Sequence, residues 1–117
     1  MQGWERLANA AQPLMDDILR RHYPPGGLIL RAMAARLKAG GSIAPHVDSL
    51  PSFKAGHRIH APLLTHSGVR FTIDGQPCKM EVGRAYEINN QLAHSVLNTG
   101  PQDRIHFIFD YLPPERV

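Results

Sequence analysis

The sequence predicts a mainly β fold: a jelly roll preceded by one helix, in a single domain spanning residues 1–117. Three observations predict it. Ten prolines and ten glycines in 117 residues call for many tight turns, hence short strands rather than a helical bundle. From Leu28 onward, short runs of alternating character are separated by polar turn signals; seven or eight such runs make a sandwich or barrel, and a jelly roll fits that number. Only residues 1–25 carry a helical period. A chain of this length buries roughly two-thirds of its unfolded surface, enough for one modest core.

The elements follow in order. Trp4, Leu7, Ala11, Leu14, Ile18 and Leu19 recur at helical spacing, opposite Asp16, Asp17, Arg20 and Arg21. This predicts an amphipathic helix from Trp4 to His22. Pro13 lies inside it and is expected to split it or to mark a fresh start. Pro24-Pro25-Gly26-Gly27 ends it. The segment Leu28 to Leu37 fits a helix by its Met and Ala content and a strand by alternation. Gly26-Gly27 and Gly40-Gly41 bracket it as turns, so a strand is expected and a β core is set over residues 27–112. Further strands are expected at Ile43–Val47, Arg58–Thr65, Val69–Ile73, Lys79–Val82, Arg84–Ile88, His94–Leu97 and Arg104–Leu112. Asp74-Gly75 is a favoured hairpin pair, and Pro113-Pro114 closes the last strand. No internal repeat, low-complexity segment or linker interrupts the core.

Composition excludes several classes. The net charge is +3, and the Lys and Arg residues are scattered, without a run or stripe; a nucleic-acid surface is unsupported. No apolar stretch is long enough to span a membrane, and the first residues lack the order of a signal peptide. The chain reads as cytoplasmic. Cys78 is the single cysteine and reads as a reduced strand or turn residue. No nucleophile elbow accompanies Ser42 or Ser49, and no phosphate loop is present.

The chemistry concentrates in His46-Val47-Asp48, His94 and Arg104. On a strand, residues i and i+2 face the same side, so His46 and Asp48 can enter one cavity. Two imidazoles and a carboxylate occupy one face of an octahedral metal and leave positions for a co-substrate and dioxygen, the facial triad of non-haem Fe(II) oxygenases. An arginine ten positions beyond His94 offers a planar, permanently charged fork for the far carboxylate of an acid such as 2-oxoglutarate. By the same parity Arg58 shares a face with His60, and Arg104 with His106. His106 either lines the pocket or pairs with a neighbour. Asn89, Asn90, Asn98, Ser95 and Asp110 read equally as ligand-orienting groups or as turn formers. Arg31, Arg36 and Arg116 read as solvated charges, and His22, His57 and His66 as ordinary histidines.

Several stretches resemble the aspartyl/asparaginyl β-hydroxylase family of Fe(II)/2-oxoglutarate-dependent oxygenases, which includes relatives acting on proline. They are Ile43-Ala44-Pro45-His46-Val47-Asp48, Arg58-Ile59-His60-Ala61-Pro62-Leu63, Gly83-Arg84-Ala85-Tyr86-Glu87-Ile88-Asn89-Asn90, His94-Ser95-Val96-Leu97-Asn98 and Asp103-Arg104-Ile105-His106-Phe107-Ile108-Phe109-Asp110, in order and in register from Ile43 onward. The resemblance implies a cupin-like double-stranded β-helix. It implies His46, Asp48 and His94 as catalytic metal ligands for Fe(II), and Arg104 as the partner of the distal carboxylate of 2-oxoglutarate. Arg58 and His60 match a pair lining the co-substrate pocket. Some members lack the carboxylate at the position of Asp48, so the chain resembles the bacterial branch more.

The resemblance further implies a dioxygenase that decarboxylates 2-oxoglutarate to succinate and hydroxylates an unactivated C–H bond of an amino acid, free or within a peptide or protein. The Ser49–Gly56 loop and the N-terminal segment are expected to shape that choice, alone or with a second copy in a homodimer. Nothing before Gly27 shows the resemblance. Two other classes stay open: a cupin-like metal protein with different chemistry, and a non-catalytic binding module on the same scaffold. Three ligands together with Arg104 argue for the enzyme.

Overall fold

A computed structural model describes residues 3–47 and 56–117 of the chain, with side chains from Ala11 onward. The first element is helix α1, Gly3–His22. Its apolar positions Ala11, Met15 and Ile18 are buried on Ile59, Ala61, Phe107, Phe109 and Tyr111. The helix runs through Pro13 rather than splitting there. A proline inside a helix costs about 3 kcal/mol, whereas a buried Met or Ile contributes about 1.5–3 kcal/mol each, so the packed face outweighs the break. Pro13 itself is exposed. Pro13→Ala should therefore raise the unfolding free energy by about 1–3 kcal/mol, read as a higher urea midpoint at unchanged slope.

Eight strands follow: β1 Leu28–Leu37, β2 Ser42–His46, β3 His57–Leu64, β4 Val69–Ile73, β5 Gln76–Cys78, β6 Tyr86–Ile88, β7 His94–Asn98 and β8 Arg104–Leu112, then a short 3-10 turn Pro114–Arg116. They form two four-stranded sheets, β1-β8-β3-β6 and β2-β7-β4-β5, with antiparallel pairing throughout. This is the double-stranded β-helix that the alternating runs predict. No helix among the described residues is long and apolar enough to cross a membrane.

One strand lies elsewhere than expected. Lys79–Val82 is not a strand; its place is taken by β5, at Gln76–Cys78. The cause is the turn. Asp74 and Gly75 both have positive φ, 50° and 76°, as a two-residue type I′ hairpin requires. Pairing therefore begins at once, Ile73 with Gln76 and Phe71 with Cys78, and the partner strand is used up before Lys79. Cys78 is part-buried against the core formed by Phe71, Met80, Ile88 and Val96.

The alternation of β8 divides the molecule into layers. Phe107, Phe109 and Tyr111 face α1. The other parity, Arg104, His106, Ile108 and Asp110, faces the interior between the sheets, and all four are buried. Three polar side chains thus stand where a core would be apolar. Arg104 is set in place by its neighbours. The Asp103 carboxylate accepts from the Ala39 N–H at 2.9 Å and from Arg36 Nε at 2.7 Å, and these bonds hold its pKa below the ordinary value. Asn98, fully buried, donates through Nδ2 to the carbonyls of Leu37 and Gln102, and its Oδ1 accepts from Gly100 N–H at 2.9 Å. It acts as a clamp on the turns beside Arg104 rather than as a ligand-orienting group.

Candidate functional site

His46 ends β2 and His94 begins β7, and the two are register partners. Their ring centroids are 4.3 Å apart with the planes at 53°. Each ring is oriented by its own chain. His46 Nδ1 lies 2.9 Å from the Ala44 carbonyl and His94 Nδ1 lies 2.9 Å from the Leu92 carbonyl. A carbonyl only accepts, so Nδ1 carries a proton in both rings, the arrangement of an orienting partner for a histidine that ligates a metal through Nε2. Asp48, the third expected ligand, lies outside the described residues, as does the segment following it. Among the described residues no group of three His, Cys, Asp or Glu side chains stands ready as a metal site.

Phe71 was not singled out in the sequence. It lies on β4 with its ring parallel to His94 at 6.4 Å and edge-on to His60 at 5.5 Å. The parity of Val69, Phe71 and Ile73 would have placed it inward. His60 in turn meets His106, Nδ1 to Nδ1 at 3.0 Å. Burial first, then the charges of His106, Arg104 and Arg58, hold His60 well below the ordinary histidine pKa. Burial and the Arg104 guanidinium bring His106 down to about 3. Both rings are neutral at physiological pH.

The two arginines of the interior differ. Arg58 forks onto Asp110, Nε to Oδ1 at 2.9 Å and Nη2 to Oδ2 at 3.0 Å, with both side chains largely buried. Its expected role as a co-substrate contact has to reckon with those commitments. Arg104 is only 2% exposed, and its buried Nε has no hydrogen-bond partner among the described residues. Burial pushes its pKa below the ordinary arginine value. Arg31, read from sequence as a solvated charge, is exposed but stands opposite Asp110 in the β1–β8 register.

The fold is of the cupin class, two antiparallel sheets closed around an interior that here carries histidines and an arginine. The aspartyl/asparaginyl β-hydroxylase family model matches residues 8–114, and the chain belongs to that family. The match begins within α1, well before the stretch from Ile43 on which the resemblance was read, so the helix and β1 are part of the family pattern too. No curated protein matches the chain. Among solved structures, the non-heme monooxygenase ThoJ, in its nickel complex, superposes with TM-score 0.67 at 18% identity, over 87% of this chain and 51% of that one. A predicted oxalate decarboxylase from Thermotoga maritima gives 0.55 at 20% identity, over 72% and 67%. A double-stranded β-helix protein from Klebsiella pneumoniae gives 0.50 at 16% identity, over 85% and 90%. At such identities these likenesses concern the fold, and the chain spans about half the length of the ThoJ chains.

Proposed function

We propose that the chain is an Fe(II)- and 2-oxoglutarate-dependent dioxygenase that hydroxylates an amino acid or an amino-acid side chain of a peptide or protein. The observation that carries this reading is Arg104, a buried guanidinium whose Nε has no partner among the described residues. A buried donor left unpaired costs about 1–3 kcal/mol, and a carboxylate accepting from the guanidinium would remove that cost. The donor set also fits a metal, since His46 and His94 stand at paired strand positions with Nδ1 turned to backbone carbonyls, and a carboxylate in sequence two residues beyond His46 would complete a facial triad. His46, Asp48 and His94 would hold the iron.

When bound, iron would supply, with dioxygen and 2-oxoglutarate, the oxidising power for hydroxylating a C–H bond, one oxygen atom going to the substrate and the other to succinate, with release of CO2. The remaining tasks belong to the protein. Arg104 neutralises and orients the distal carboxylate. Phe71 and Ile73 place apolar surface beside His94, on the strand paired with β7, and so keep bulk water from that side of the site. The Nδ1 bonds to Ala44 and Leu92 fix the two rings before metal arrives.

Anaerobic calorimetric titration of the Fe(II)-loaded protein with 2-oxoglutarate tests the reading, followed in air by measurement of succinate. Binding should be saturable, and Arg104→Ala should weaken it by about two orders of magnitude, in line with the loss of a bidentate charged pair, while iron binding is retained. Iron binding without any response to 2-oxoglutarate would leave a cupin of other chemistry. Failure to bind either would leave a non-catalytic module.

A further inference from the structure

The Nδ1 atoms of His60 and His106 face each other at 3.0 Å with both rings buried. A hydrogen bond between two such nitrogens needs one proton and one lone pair. Burial and the neighbouring guanidinium groups keep both rings neutral. One ring must therefore carry its proton on Nδ1 and the other on Nε2, so the pair presents one Nε2–H donor and one Nε2 acceptor to its surroundings.

His106 and Arg104 are two residues apart on one face of β8, and that parity is buried in the interior. The Arg104 guanidinium is near enough for its charge to act on the His106 ring. A lone pair turned toward a carboxylate repels it, whereas an N–H attracts it. An anion on Arg104 therefore selects the tautomer in which His106 carries Nε2–H. With its Nδ1 then a lone pair, His60 must be the ring that donates across the 3.0 Å contact.

We propose that His106 is the second donor of the anion pocket, hydrogen-bonding through Nε2–H to the carboxylate on Arg104, and that His60 is a positioning residue holding it in that tautomer. This rests on the 2-oxoglutarate reading above. It replaces direct contact between His60 and the co-substrate with an indirect role.

The test uses the Zn(II)-loaded, 15N-histidine-labelled protein, which is diamagnetic and does not turn over. Without ligand, the spectrum should show one Nδ1–H ring and one Nε2–H ring in the pair. With 2-oxoglutarate, the His106 Nε2–H signal should shift and resist exchange. By calorimetry, His106→Phe should weaken 2-oxoglutarate by roughly tenfold or more, the value of a charge-assisted hydrogen bond. It should leave 2-oxobutyrate, which lacks the distal carboxylate, unchanged. His106→Gln keeps an N–H and should recover part of the loss, and His60→Phe should cost less than His106→Phe. Equal weakening of both acids, or a His106 Nε2 without a proton in the saturated wild type, overturns the proposal. Should His106→Phe fail to fold, the wild-type spectrum still decides it. A wild-type zinc protein that binds neither acid removes the co-substrate reading itself and is told apart by that fact.

Discussion

Asp110→Ala should lower the unfolding free energy by about 3–5 kcal/mol, the usual cost of stripping one partner from a buried ion pair. Asp110 holds Arg58 by two parallel bonds of 2.9 and 3.0 Å, with the Asp110 side chain 3% and the Arg58 side chain 11% exposed. The pair bridges β8 and β3 at register partners. Removing the carboxylate takes both charge-assisted bonds of this fork from a largely buried guanidinium. The double variant Arg58→Met/Asp110→Leu should recover most of the loss, because two apolar side chains replace two charges that each paid a desolvation cost. Urea unfolding of the three variants makes the comparison. A single variant within about 1 kcal/mol of wild type, the range of an exposed pair, would show that Asp110 is not the group that neutralises Arg58.

That pair also marks where sequence reasoning stopped. Arg58 was legible as an interior residue from its parity with His60, and Arg104 from its spacing to His94. Asp110 has the same parity as Arg104 and His106, yet a lone aspartate near a strand end reads equally as a turn former. Only the register, which sets Arg58 opposite Asp110, distinguishes the two. The meeting of His46 and His94 likewise depends on β2 and β7 being neighbours, a long-range pairing that spacing along the chain does not specify. Local chemistry was more informative. Strands Val69–Ile73 and Arg104–Leu112 lie at their predicted bounds, because a hairpin pair follows the first and a proline pair the second. Lys79–Val82 is not a strand because the two-residue turn at Asp74-Gly75 starts the partner strand at Gln76 and ends it at Cys78. Asn98 was read as either a ligand-orienting group or a turn residue; its three side-chain bonds to Leu37, Gln102 and Gly100 show that it joins separate turns, which a single sequence does not reveal.

Acid should destabilise this protein steeply, and well before its carboxylates are protonated. The cause is the buried His60–His106 pair. In the unfolded chain a histidine takes up its proton near the ordinary pKa of 6.5, whereas folded His106 does so only at about 3, and folded His60 is displaced in the same direction. Between those limits the unfolded state binds more protons than the folded one, so stability is fully present above pH about 6.5 and is lost as the pH falls. Each histidine in that window contributes a slope of up to about 1.4 kcal/mol per pH unit. Over the range cited for His106 this approaches about 5 kcal/mol, comparable with the whole stability of a small domain. The depressed pKa of Asp103 adds a loss of the same sign, but only below the ordinary aspartate range. Urea midpoints of the metal-free protein at pH 7, 6 and 5 measure the effect: they should fall progressively, and His106→Phe should have a shallower slope than wild type because one neutral imidazole no longer has to be maintained. Equal midpoints at pH 7 and pH 5 would mean that the pair accepts a proton in the folded state, which burial beside two guanidinium groups should not allow.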